Sequence, residues 1–516
     1  MATLLIGLAI SVIIAFAIYY IVPLKHRWIV LLCVSLAFNL FINRYLLVYA
    51  IITAIGVYFS ARGIQKRNYI ASICELNEEE KKKFKKQNKA SMVLTVLFNL
   101  AILGFLKYFN FFGNTIFSFI NLFGAGLKFK ALNLVLPLGI SFYTLTAIGY
   151  LVDVNRKKYP AESNFFKVLL FIVFFPTLVE GPFLRFDQDG RELFEGHKAN
   201  YKGIMHGFQR ILWGLFKKYV IADRVFLLVN TISSSPFEYS GLASLFFILG
   251  YTLQLYADFS GFIDIVIGIG ELFGIKLPEN FKQPFFAKGA QEFWQRWHIT
   301  LGTWFKEYVF YTVALTDGMK KFSKAIKKKH KNHFTKILPS IVALFCVWIC
   351  NGLWHGPEWK YIVYGLYYFV IISLGMLCEP LFKKMWSKMK INPNCTVLNI
   401  FRHVRTLLII FIGETIFGAN TLPDAVHILG SVFVSYHGSL LELGLDWKEF
   451  VILGIGVIVL IVVGILKEKK INIRDSIDKL ALPLRWTIYI SAIVFIVIFG
   501  AYGTQYSLVP FMYGGF

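Results

Sequence analysis

The sequence predicts an all-α polytopic membrane protein, and three observations carry that prediction. Apolar residues make up 57% of the 516-residue chain and charged residues only 16%, whereas a soluble domain carries about a quarter charged residues. Mean hydropathy is +0.60. The apolar residues fall in runs close to the length that carries an α-helix across hydrocarbon, and lysines and arginines gather between the runs. The net charge of +24 therefore reads as the positive-inside bias of membrane loops, with lipid headgroups as its partner; no nucleic-acid partner is expected.

The first apolar run, 2–24, lacks a leading basic stretch and exceeds a signal-peptide core. It ends in Pro23 with Lys25, His26 and Arg27 behind it rather than small residues, so it is expected to be retained as a span. Spans at 28–43 and 45–61 follow, then a basic loop, 62–89, that contains KKKFKK. Further spans are expected at 91–112, 132–152, 165–183, 205–222 and 243–269, then at 337–350, 361–381, 407–419, 450–466 and 486–502. This gives roughly eleven to thirteen membrane helices. They group as N-terminal helices in 1–130, a core in 131–381 and C-terminal helices in 382–516. The most basic loops, 62–89, 320–336, 383–405 and 467–485, are assigned to the cytoplasm, which puts the N-terminus and the tail 503–516 outside.

The six cysteines, Cys33, Cys74, Cys346, Cys350, Cys378 and Cys395, form no CxxC pair, so neither a disulfide framework nor a metal site is expected. Cys346 and Cys350 share a helical face and read as small buried apolar thiols.

The stretch 276–312 is no ordinary span. Polar residues from Pro278 and Asn280 to Lys306 and Glu307 interrupt it, while Phe285, Phe293, Trp294, Trp297 and Trp304 keep it apolar. Backbone of that polarity is tolerated at membrane depth only when buried in protein or lining a cavity, so re-entrant or interfacial helices are expected. The alternative, for the part before Trp297, is an amphipathic helix lying on the bilayer surface.

Two blocks place a histidine among tryptophans: QEFWQRWHITLGTWFKEYVFY at 291–311, with His298, and NGLWHGP at 351–357, with His355. An imidazole near hydrocarbon is costly to keep and marks a polar cavity, a pairing or chemistry. Against this stands a satisfied interior histidine at 355, and at 298 packing or a hydrogen bond to Glu292 or a carbonyl. Asp258 and Asp264, in YADFSGFID, also need partners. They line the cavity or orient a histidine, or else lock helices through Arg296 or Lys282. Glu180 and Glu414 read as structural pairing.

Taken in order, several motifs resemble those of the membrane-bound O-acyltransferase family, most closely its alginate O-acetylation membrane-subunit branch. They are LPLGISFYTLTAIGYLVD (136–153), FFPTLVEGPFLR (174–185), GLFKKYVIADR (214–224), YADFSGFIDIVIGIGELFGIKLPEN (256–280), RWHITLGTWFKEY, GLWHG and the terminal PFMYGGF. The resemblance implies a helical core whose re-entrant helices enclose an acyl-transfer tunnel in a bacterial plasma membrane. It implies His355 as the essential histidine and His298 on the same tunnel. It also implies a cytoplasmic acyl thioester such as acetyl-CoA as donor, with no tightly bound cofactor and no metal. The implied acceptor is an extracytoplasmic polysaccharide. Its implied partners are a secreted SGNH-hydrolase-like protein, the polysaccharide-synthesis machinery and an acyl carrier protein on the cytoplasmic side.

The side chains suit that chemistry. Transfer from a thioester to a hydroxyl needs a base near neutral pH, and burial disfavours imidazolium, which holds His355 ready to accept a proton. Nucleophilic catalysis through an acyl-histidine is the alternative. Asn351, Trp354 and Trp297 are candidate donors to the developing oxyanion, and Arg296, Asp258 and Asp264 are further candidates for the tunnel. Two departures from the branch stand out. The tryptophan-rich block continues into Lys306, Glu307 and KKFSKAIKKKHKNH, closer in character to the relatives that carry D-alanine onto teichoic acids. The late FFRA-like element reads IFGA, without its arginine. Acetyl is favoured and D-alanyl kept open. A transporter would show internal repeats, and the histidine blocks occur once each.

Overall fold

The computed structural model describes residues 2–330, 332–390, 392–436, 438–502 and 506. The PFMYGGF motif and nearly all of the tail assigned to the outside lie beyond the described residues. Among the described residues the regular structure is entirely helical. Eight helical stretches are long and apolar enough to cross a membrane, and Leu4–Tyr19 is a shorter apolar helix.

Every expected span contains a helix, but Leu4–Tyr19 and three others are too short to count as crossings, and the spans expected at 28–43 and 45–61 fall within the single stretch Leu24–Ile73. Ile140–Asn155 starts after Gly139 (φ 80°) and buries all but two of its residues; a helix that is apolar all round belongs to a protein interior. Phe165–Val173 stops ahead of Pro176. Tyr201–Leu215 runs on into a wider π-helical turn, Phe216–Ala222. The expected basic loop at 62–89 is a second correction. Helix Leu47–Ile73 continues through its first part, and the KKKFKK run lies inside Glu78–Asn121. Lysine is a good helix former, and Glu78, Glu79 and Glu80 with the Asn77 capping box favour a helix start there.

The chain divides into two compact units. The first holds residues up to Phe208 together with Val266–Pro278. In it Asn43 ties its helix to the 138 region: its Nδ2 donates to Leu138 O and its Oδ1 accepts from Leu138 N–H at 2.7 Å. The second holds Gln209–Ile265 and the residues from Glu279 onward, and so contains both histidine blocks.

Within the second unit, the 276–312 stretch beyond Pro278 is a chain of short helices, including Ala290–Arg296 and Ile299–Phe305. Phe293, Trp297 and His298 are buried inside the protein, which fits broken helices held by protein rather than a helix resting on a bilayer surface.

Candidate active site

His298 sits at a corner. Helix Ala290–Arg296 ends and Ile299–Phe305 begins on either side of it, and its backbone is left-handed (φ 45°, ψ 52°). That conformation costs a residue with a side chain on the order of 1 kcal/mol and persists only where the surroundings enforce it. Backbone bonds supply part of the enforcement: Ile299 N–H donates to Asn280 O at 3.0 Å and Lys282 N–H to Arg296 O at 2.9 Å. The Asn280 side chain supplies the rest. Its Oδ1 accepts from Thr300 N–H (3.0 Å) and Thr300 Oγ1–H (2.9 Å) and lies 3.2 Å from His298 Nδ1.

An amide oxygen only accepts, so His298 Nδ1 carries the proton and Nε2 is the basic nitrogen of the ring. Phe259 meets the ring edge-on at 4.8 Å. His298 is 3% exposed, and such burial favours the neutral imidazole. The expected partner, Glu292, instead accepts from Lys288 N–H and pairs with Arg296. Asn280→Ala would leave both Thr300 donors and the ring without their common acceptor. It is expected to cost about 1–3 kcal/mol, measured as a lower thermal midpoint of the purified protein.

His355 closes helix His333–His355, where Gly356 turns the chain out of the helix. That helix packs along Trp359–Lys388 through a glycine seam. A Cβ at Gly352 would lie 2.4 Å from Tyr361 O, and one at Gly365 2.3 Å from Trp348 O. Small residues let backbones approach this closely. Gly352→Ala is therefore expected to force the pair apart at a cost of about 1–3 kcal/mol, visible in the same melting experiment.

The seam brings aromatic rings around His355, which is 3% exposed. Trp354 and Phe417 lie 5.0 Å from its ring centre, Tyr364 5.8 Å and Tyr361 6.3 Å. Behind Tyr364, its hydroxyl donates to Glu414 Oε1 at 3.4 Å, so Glu414 bonds to a tyrosine. The Trp354 indole also lies 5.8 Å from the His298 ring, and the two histidine blocks meet on this one side chain. Asn351, one turn before His355, is buried, and its Oδ1 has no hydrogen-bond partner among the described residues. Cys350 is exposed and Cys346 half-buried, which corrects their reading as buried thiols. Asn351, Gly352 and His355 take the inward face, and the cysteines point away from it.

The remaining candidates belong to neighbouring clusters. Trp297 packs against Phe281 (5.1 Å) and Phe293 (5.4 Å). Arg296 pairs with Glu292 and Glu468, not with the aspartates. Asp258 pairs with Lys218 (2.6 Å), and Asp264 with Lys217 (2.6 Å) and Arg210 (2.9 Å); Lys282 is not their partner. Lys218 also holds Asp223 at 2.8 Å, and Lys217 donates to Ser260 Oγ at 2.8 Å. A close helix approach permits this, since a Cβ on Gly214 would lie 2.5 Å from Gly261 O.

The missing arginine of IFGA also has a physical account. Any Cβ at Gly418 would lie 2.4 Å from the Tyr251 ring, while Lys360 Nζ donates to Ala419 O at 3.1 Å. Phe417 of the same element is the ring that faces His355.

Sequence reading missed Asn280, noted only as a polar interruption, and the Lys217 and Lys218 pairings. The signal for the lysines was present: two cations inside one apolar run and two aspartates inside the next.

Comparison with known proteins agrees with the motifs. Residues 156–418, which include both histidines, match the family model described as MBOAT, membrane-bound O-acyltransferase family. The chain is similar to the "Probable alginate O-acetylase AlgI" of Pseudomonas aeruginosa, 32% identical over 66% of this chain and 60% of the relative. It is similar to the "Peptidoglycan O-acetyltransferase" of Helicobacter pylori, 30% identical over 70% of this chain and 67% of the relative. It is also similar to the "Teichoic acid D-alanyltransferase" of Bacillus subtilis, 30% identical over 56% of this chain and 70% of the relative. The match thus spans about 60% of the length of the first of these relatives. With the family model matched across both histidine blocks and the motifs in order along the chain, the protein belongs to the membrane-bound O-acyltransferase family.

Proposed function

We propose that the chain is an integral-membrane O-acyltransferase. It moves an acetyl group from a cytoplasmic thioester such as acetyl-CoA to the outer side of a bacterial plasma membrane, for O-acetylation of a cell-envelope polysaccharide. The observation that carries this reading is the convergence of His355 and His298 on Trp354 within the family-matched segment. His355 is the base. Its ring nitrogen takes the acceptor hydroxyl's proton as the oxygen attacks the thioester carbonyl. The C–S bond then breaks, and the departing sulfur takes that proton. Asn351 Nδ2–H and the Trp354 indole N–H are the donors nearest to hand for the oxyanion. Aromatic rings cover His355 in this structure, so the reading requires Phe417, Tyr361 or Tyr364 to swing aside when substrate enters.

In this reading the basic helix ends face the cytoplasm, where an acyl carrier protein can dock. A secreted SGNH-hydrolase-like partner and the polysaccharide-synthesis machinery work on the outer side. D-alanyl transfer to teichoic acid is the second reading, supported by the Bacillus relative and by the lysine-rich sequence after Glu307.

The test compares base-labile acetate and D-alanine released from envelopes of cells carrying wild-type protein or His355→Ala at matched expression. Loss of acetate alone upholds acetyl transfer and loss of D-alanine selects the second reading. Loss of neither overturns both.

A further inference from the structure

We propose that the second unit carries a binding site for an anionic phospholipid, separate from the histidine pair. A cavity of about 760 Å³ opens between the helices Trp447–Glu468 and Leu482–Phe499. This volume is within the range of sites that hold small organic molecules. Its walls are apolar over most of their length, with Phe216, Val459, Val463, Ala492 and Phe495 among them. One end is different. There Arg210, Lys282, Lys467, Lys470 and Arg474 reach the cavity, with Asp264 and Glu279 as the acids beside them.

Both acids are already engaged. Arg210 holds Glu279 through two bonds (2.7 and 2.6 Å) and Asp264 through one, and Lys217 holds Asp264 as well. No ion pair holds Lys282, Lys467 or Lys470 among the described residues, and all three are exposed at the rim. The site is therefore amphipathic in the sense of a lipid: a hydrocarbon slot between two membrane helices, ending in an excess of positive charge, five cations against Asp264 and Glu279, where the helices leave the apolar layer. A slot of that lining within a bilayer fills with hydrocarbon, and a cluster of cations at its mouth selects a negative headgroup. A soluble anion would satisfy the cations and leave the apolar slot unfilled, whereas a zwitterionic lipid would do the reverse.

The experiment uses the full chain in nanodiscs of phosphatidylcholine with a minor fraction of phosphatidylglycerol, followed by progressive delipidation and native mass spectrometry. Phosphatidylglycerol should be retained in preference to phosphatidylcholine. The combined Lys282→Gln, Lys467→Gln and Lys470→Gln variant should weaken that retention on the order of 100-fold. Ala492→Trp, which fills the slot without changing a charge, should abolish it while the protein keeps its elution position. Equal retention of the two lipids, or an unchanged triple variant, would overturn the proposal. So would displacement of phosphatidylglycerol by acetyl-CoA, which would make the cavity a donor site instead.

Discussion

Replacing His355 with glutamine should lower acyl transfer roughly 10²–10⁴-fold, the range that a positioned base contributes, without loss of folded protein. Glutamine keeps the volume and a hydrogen-bonding end, so the cage of Trp354, Phe417, Tyr361 and Tyr364 around position 355 has no reason to collapse. The measurement is the rate of acetate appearance on the acceptor per mole of purified protein, beside a melting curve. Retention of most of the rate would place the base elsewhere. Loss of rate together with loss of folded protein would mean that the ring serves packing. A covalent acyl-enzyme trapped in the wild type and absent from the glutamine variant would turn His355 from base into nucleophile.

Lys218→Met should be the most destabilising of these changes. Its ammonium lies between Asp258 and Asp223 (2.6 and 2.8 Å), and the lysine and both carboxylates are buried. Removing one partner of a buried pair leaves a charge without compensation and costs about 3–5 kcal/mol; here two carboxylates lose the cation they share. The expected readout is a large fall in thermal midpoint and in yield from the membrane. Adding Asp258→Asn to Lys218→Met should recover part of the loss, because one of the stranded charges goes with it. An equally unstable double variant would show that the lysine contributes through packing of its stem.

Helix positions were legible in the sequence because apolar runs report them directly, and every expected span holds a helix. Helix ends were less so. Lysine-rich stretches such as KKKFKK read as loops by hydropathy, yet they continue helices, since propensity and capping at Asn77 act where hydropathy is silent. Both histidines were visible as costly residues in an apolar setting. What held them was not. The bond from Asn280 to His298 joins residues on either side of a chain reversal, and the aspartates paired with lysines 40 and 47 positions earlier. The choice between Lys218 and Arg296 for Asp258 depends on which helices touch, and the Gly214–Gly261 approach that decides it leaves no charge pattern to read.

That pairing also bears on how the chain enters the bilayer. Lys217 and Lys218, in a helix too short to count as a crossing, are synthesised ahead of Asp258 and Asp264, and each such charge costs roughly 2.5–3.5 kcal/mol when it is carried alone to the middle of the bilayer. Only when the second segment has emerged from the ribosome can the charges cancel. The two segments are therefore expected to partition from the translocon together, as a preformed hairpin, and slowing synthesis between residues 224 and 258 would expose the first of them to quality-control proteolysis.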